Sequence, residues 1–180
     1  GALCVDGRVN CDEGYVEGLV VGEGACSSPA TTGRPYRGRA YISGGVVTNA
    51  AGVVAVGGAW GEGLLEQTGG ELLGRSSKGL WAVGFAGGEG TFNLLGGFAE
   101  DKSDFYLGGV FTNAFDGGLH LNPTKHNNWP SHDHTAVGTL TVTGGELCVG
   151  KALNVGFDGA GVINVVGGEG AISVGSLVLS

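Results

Sequence analysis

The sequence predicts an all-β protein, a parallel β-solenoid of about six coils in a single domain that spans residues 1–180. A glycine-punctuated unit of roughly 24 residues recurs along the chain. Within each unit apolar and polar residues alternate, which is the period of a strand with one buried face. No helical segment separates the units, so stacking of successive units is the compact solution.

The repeat has an opening half and a closing half. The opening half reads GTLTVTGG or GVINVVGG, and the closing half is an apolar-x-apolar-Gly step such as VAVG at 54–57. Glycine pairs end the strands where the chain must turn. A β-sandwich is the alternative, but it has turn signals every 8–12 residues without a repeated unit of twice that length. The opening half starts at Gly1, Gly38, Gly63, Gly90, Gly138 and Gly161.

Four columns of inward side chains are predicted along the stack, with Gln67 as the one polar misfit. In the opening half these columns are Leu3, Ala40, Leu65, Phe92, Leu140, Ile163 and Val5, Ile42, Gln67, Leu94, Val142, Val165. In the closing half they are Leu19, Val54, Trp81, Phe105, Leu153, Leu177 and Val21, Val56, Val83, Leu107, Val155, Leu179. The outward positions of the opening strand are Cys4, Tyr41, Glu66, Asn93, Thr141 and Asn164.

Two loop insertions are expected, at about 25–37 and 111–135, because two repeat starts come late. The second loop contains all four histidines, His120, His126, His132 and His134. His132 and His134 could present two imidazoles, but no third ligand is defined, and turn hydrogen bonds explain such a loop equally well. We therefore predict no metal ligands and no cofactor.

Composition excludes several classes of partner. The net charge is −8 and no Lys/Arg run occurs in the sequence, so nucleic acid is not an expected partner. No apolar run is long enough to span a bilayer, so membrane insertion is not expected either. The chain contains no Met and opens on Gly1, from which we expect that a signal peptide has been removed.

The cysteines point to an oxidising compartment. Cys4, Cys11 and Cys26 lie within the first 26 residues, and we expect one local disulfide among them that ties the first loop to the first coil. The remaining one and Cys148 would then be free or paired with each other. Buried free thiols are the alternative.

No catalytic constellation can be assembled. Solenoid enzymes that cleave acidic polysaccharides place carboxylates and a basic residue on one outward face. The acidic run of Glu100, Asp101 and Asp104 has no partners at the same place in adjacent repeats, and we interpret it as a solvated turn. The chain is therefore predicted not to be an enzyme, and it has no candidate catalytic residues.

The repeat resembles the β-strand repeats of bacterial autotransporter passengers and of related Gly-rich secreted surface proteins. This resemblance implies a β-solenoid at the cell surface or outside the cell, and it carries little about function. Both termini are in repeat register, so Leu3 and Val5 of one subunit could continue the columns of another. Those columns end in Ile163, Val165, Leu177 and Leu179.

We therefore expect an extracellular structural protein that self-assembles head to tail into a filament or surface scaffold. Two alternatives remain open: a carbohydrate-binding or adhesive surface module that takes glycans, and, less favoured, a polysaccharide-active enzyme. If the chain is part of a longer repeat protein, flanking coils of the same polypeptide would cover its ends.

Overall fold

The computed structural model describes residues 2–5, 8–10, 18–23, 37–49, 53–58, 61–85, 87–109, 135–157 and 159–180. These residues form an all-β structure in which every strand pairing is parallel. The first coils contain β1 (Ala2–Val5), β2 (Arg8–Asn10), β3 (Gly18–Glu23), β4 (Arg37–Ile42), β5 (Val46–Asn49) and β6 (Val53–Gly58). The later ones contain β7 (Glu62–Gln67), β8 (Glu71–Gly74), β9 (Leu80–Phe85), β10 (Glu89–Leu94), β11 (Phe98–Asp101), β12 (Asp104–Leu107), β13 (Ala136–Val155) and β14 (Gly159–Leu179).

The strands surround the core on three faces. The first face stacks β1, β4, β7 and β10, the second stacks β2, β5, β8 and β11, and the third stacks β3, β6, β9 and β12. β13 and β14 run through all three faces as single strands of 20 and 21 residues. The predicted β-solenoid is therefore confirmed.

The number of turns differs slightly from the prediction. Separate strands make about four turns, three strands to a turn, instead of the expected six coils. β13 and β14 add two further layers in which the corners no longer interrupt the strand. The repeat unit correctly predicts these two layers. Their strands are not divided at the corners, because the pairing between β13 and β14 continues past them.

Cα register confirms all four predicted columns. Phe92 lies between Leu65 and Leu140, for example, and Trp81 lies between Val54 and Phe105. The inward side chains of these columns are almost fully buried from β4 to β13. Trp81 contacts Phe105 at a ring-centroid distance of 5.7 Å, so aromatic packing continues from layer to layer.

A third pair of columns lies on the second face, which the two-part repeat did not predict. Its first column is apolar and contains Val47, Leu72, Ala99 and Leu147, all buried, with Ile172 partly buried above them. The second column contains Asn49, Gly74, Asp101, Val149 and Val174. Buried polar side chains of this protein thus concentrate beside the corner between the second and third faces.

Glycine recurs because backbones meet closely at the corner between the third and first faces. Gly84 has a φ of +67°, and a Cβ there would overlap the Val137 carbonyl oxygen. Gly90, in the following strand, faces the Gly84 amide at a separation that leaves no room for a Cβ. The same pair of glycines returns in each coil, so this element of the repeat is a packing requirement of the corner.

The outer side of the third face is also apolar and buried. Its cluster consists of Val53, Ala55, Leu80, Ala82, Phe85 and Tyr106. Phe157 packs edge-on against Tyr106, with ring centroids 6.2 Å apart. Strict alternation between buried and exposed positions therefore holds on the first face but fails on the third.

Candidate functional site

The most distinctive surface of this solenoid is the end formed by β14, which we call the open end. β14 pairs with β13 along its length and with no other described strand. Val165, Leu177 and Leu179 are 53%, 54% and 72% exposed there. One layer below, their column neighbours Val142, Leu153 and Val155 are at most 9% exposed.

This contrast identifies the open end as core-type surface exposed to solvent. The side chains of Val165, Leu177 and Leu179 belong to inward columns, and among the described residues no further layer packs on them. Ile163 is only partly buried against the core for the same reason. The edge of β14 also presents backbone N–H and C=O groups that lack a strand partner in the described chain, which is a template for a further parallel strand.

At the opposite end, β1 pairs with β4 and with no other described strand. Leu3 and Val5 are the register neighbours of Ala40 and Ile42, so they hold first-layer positions of the first two columns. Of the six predicted assembly residues, four thus lie at one end of the stack and two in the strand at the other end.

Asp101 lies at the corner between β11 and β12 and corrects the interpretation of this run as a solvated turn. Its side chain is fully buried, with an exposed fraction of 0%. The amide and hydroxyl of Ser103 both donate to Asp101 Oδ1, at 2.8 Å and 2.6 Å. Asp101 Oδ2 is buried without a hydrogen-bond partner among the described residues.

Burial explains why this carboxyl is an unusually weak acid. Desolvation raises the pKa of Asp101 from 3.8 to about 7, against the opposing hydrogen bonds from Ser103. The Asp104 charge raises the pKa further, and Lys151 lowers it. The carboxyl has a pKa typical of an acid catalyst, but it is closed off from any substrate in solution.

A signal for this burial was present in the sequence. The repeat position of Asp101 is occupied by Asn49 and Val149 in other coils, and Asn49 is also buried, with its amide donating to the Val53 carbonyl oxygen. In this strand the residue three positions after Val46, Glu71, Phe98 or Glu146 is an inward position, and Asp101 occupies it. The acidic residues next to Asp101 in the sequence indicate an exposed turn, which is why its inward position was not predicted.

A polar groove of about 430 Å³ lies on the outer side of the first face. Arg37 forms a bidentate ion pair with Glu62 of the next coil, at 2.6 Å and 3.2 Å, and this pair raises the pKa of Arg37. The predicted outward positions Tyr41, Glu66, Asn93, Thr141 and Asn164 also share this face in register. The remaining lining includes Arg39, Leu64, Glu89 and Thr91.

Several sequence predictions fall on residues outside the described ranges. These are the greater part of both loop insertions, at 25–37 and 111–135, the four histidines, Cys11, Cys26 and the side chain of Cys4. Cys148 carries a free thiol, half-buried on the second face, whose Sγ lies 3.4 Å from Glu146 Oε1. Within the described ranges no group of His, Cys, Asp or Glu side chains has the arrangement of a metal site.

No family model, curated protein or solved structure matches this chain. The resemblance to autotransporter repeats therefore stays a prediction based on the repeat alone. The part of the chain with described coordinates contains no helix of the length and apolarity that crossing a membrane requires.

Proposed function

We propose that this protein is an extracellular structural protein whose subunits stack head to tail into a filament or surface scaffold. The observation that carries the proposal is the open end, where Val165, Leu177 and Leu179 are exposed although their column neighbours from β4 to β13 are buried. β1 of a second copy would extend the first face above β14 in parallel register, with Leu3 and Val5 above Ile163 and Val165.

The two ends are different surfaces, and this determines the form of the assembly. A contact between different surfaces propagates into an open polymer unless the rotation closes a ring. Each added copy would repeat the same geometry, because the solenoid axis continues through the interface. A non-enzymatic role is part of the proposal, and it is supported by the burial of Asp101, the carboxyl among the described residues whose pKa is strongly raised.

Leu179→Asp tests the proposal, because it places a charge at the most exposed column position of the open end. Leu95→Asp is the matched control, since Leu95 is also an exposed leucine, at 39%, but lies on a corner in the middle of the stack. We expect the parent chain and Leu95→Asp to form filaments in negative-stain micrographs and to sediment as polymers. Leu179→Asp should sediment as a monomer with an unchanged circular dichroism spectrum.

Two outcomes would contradict head-to-tail assembly of separate chains. One is a parent protein that stays monomeric at high concentration. The other is a native polypeptide in which further coils of the same chain cover β14, which intact-mass measurement on material from the source would reveal.

A further inference from the structure

Four basic side chains gather at the corner between the second and third faces, which we call the basic corner. They are Arg75 and Lys78 in the turn between β8 and β9, Lys102 between β11 and β12, and Lys151 in β13. The chain has nine Lys and Arg residues in total, so nearly half of its cations lie at one corner of three consecutive layers. They are far apart in sequence, and only the stacking of coils brings them together.

Contacts between layers hold this corner in shape. Lys151 Nζ donates to the Ser77 carbonyl oxygen at 2.7 Å, which connects two layers that are not adjacent. The Lys151 amide donates to the Ser103 carbonyl oxygen at 3.2 Å. The backbone of Lys102 lies directly against Gly150, where a Cβ would be 3.2 Å from Lys102 Cα. These contacts between layers therefore fix the backbone that carries the basic side chains.

The acidic side chains near the basic corner do not neutralise all of its cations, so the corner stays positively charged. Glu100 pairs with Arg75 at 3.5 Å, and Asp104 Oδ2 lies 4.0 Å from Lys151 Nζ. Asp101 is buried beneath the corner and presents no charge to solvent. The ammonium groups of Lys78 and Lys102 are exposed and have no ion-pair or hydrogen-bond partner in the described part of the chain.

We propose that the basic corner binds an acidic polysaccharide, with the carboxylates of its uronic acid units on Lys78 and Lys102. Layers in this corner follow one another at the inter-strand spacing of about 4.8 Å, so the cations form a line along the solenoid axis that suits an extended polyanion. Ser76 and Ser77 in the same turn add hydroxyl groups that can hydrogen-bond to sugar hydroxyls.

The charge distribution of the whole molecule favours contact at this corner. The net charge is −8, and the outer sides of the first and second faces carry Glu62, Glu66, Glu71, Glu89 and Glu146. A polyanion is repelled from those faces and attracted to the corner. Single-stranded nucleic acid is less favoured, because its binding surfaces combine cations with aromatic stacking platforms, and no exposed aromatic side chain is found among the described residues of the basic corner.

A filament would repeat the basic corner once in each subunit. Binding of a long glycan would then be multivalent, although each single contact is weak. The inference does not depend on assembly, because the corner is complete within one chain.

Affinity electrophoresis and titration calorimetry with polygalacturonate test the proposal, and neutral dextran serves as the negative ligand. We expect the parent chain to bind polygalacturonate in low salt and to lose affinity as salt rises above about 0.1 M, where exposed charges are screened. Lys78→Gln combined with Lys102→Gln should weaken binding at least about fivefold, since two exposed charge pairs are lost. Arg39→Gln is the matched control, because Arg39 is an exposed cation on the first face with no ion-pair partner among the described residues. It should change affinity less than about twofold.

Measurement in the Leu179→Asp background separates this inference from the assembly proposal. Binding that persists in this monomeric variant supports the corner even if filaments never form. The proposal is overturned if polygalacturonate does not bind in low salt, or if Arg39→Gln weakens binding as much as the double variant. Preferential binding of single-stranded DNA of equal charge would also overturn it.

Discussion

Asp101 has a carboxyl that the fold buries without completing its hydrogen bonds. Oδ1 accepts from Ser103, whereas Oδ2 has no partner in the described residues. Trp81 Nε1 is likewise buried without a partner, and it lies 2.7 Å from where a Cβ of Gly74 would be. Because Gly74 is the register neighbour of Asp101, the two unsatisfied groups belong to the same corner of the core.

The raised pKa of Asp101 makes stability depend on pH. The folded state keeps the proton up to about pH 7, whereas the unfolded chain loses it near pH 3.8. The free energy of unfolding should therefore fall as pH rises between these two values, by on the order of 3 kcal/mol. Asp101→Asn removes the charge, and the natural Asn49 shows that this column accepts an amide.

We expect Asp101→Asn to be more stable than the parent at pH 8 and to lose most of the decline between pH 4 and pH 7. Urea unfolding followed by circular dichroism at several pH values measures both effects. Glu89→Gln is a suitable control, because Glu89 is an exposed carboxylate on the first face, away from the corner that holds Asp101. An equal decline in Asp101→Asn and the parent would show that another group controls the pH dependence.

At the scale of the strand, the first face separates inward from outward positions cleanly. Val142 in β13 is fully buried, and its register neighbours Leu94 and Val165 belong to the same column. Thr141, the next residue, points outward, where its neighbours are Asn93 and Asn164. These two adjacent positions provide a matched test of the face assignment.

Val142→Asp should reduce the free energy of unfolding by about 4 kcal/mol or more, because it places an unpaired charge in the column. Thr141→Asp should change it by no more than about 0.5 kcal/mol, since its neighbours are neutral amides. Thermal or urea unfolding of the two variants beside the parent measures the difference. Equal destabilisation by both substitutions would show that the faces are misassigned.

At the scale of the whole molecule, stability is distributed by layer. An inner layer packs between two others, whereas β14 has a described neighbour on one side only. In a solenoid each layer is stabilised mainly by its nearest neighbours. The layer at the open end should therefore open before the inner layers, even though β14 pairs with β13 on all three faces.

Hydrogen exchange should reveal this gradient and its reversal on assembly. In the Leu179→Asp monomer we expect amides of β14 to exchange faster than those of β7 and β10. In filaments of the parent chain the β14 amides should become protected, because a strand of the next subunit accepts their hydrogen bonds. Filaments in which β14 exchanges as fast as in the monomer would show that the subunits join elsewhere.

The repeat pattern alone predicts the fold class and the register of the first and third faces. Recurrent glycines and alternation locate the strands, and a repeated unit can bury its apolar positions only by stacking on its neighbours. The second face was not predicted because Ala99, Gly74 and Asp101 interrupt its apolar pattern. Ala99 nevertheless lies in register with Leu72 and Leu147, and Asp101 lies in register with Gly74 and Val149.

The tertiary structure encloses Asp101 between neighbouring layers and brings the charges of the basic corner together. Local sequence around Asp101 is acidic and suggests exposure, but the layers above and below enclose it. Arg75 and Lys151 are 76 positions apart, and no local pattern predicts that they share a corner. The burial of a side chain and the clustering of charges depend on the residues in the coils above and below. Those residues become neighbours only when the coils stack, and their separation along the sequence does not show this contact.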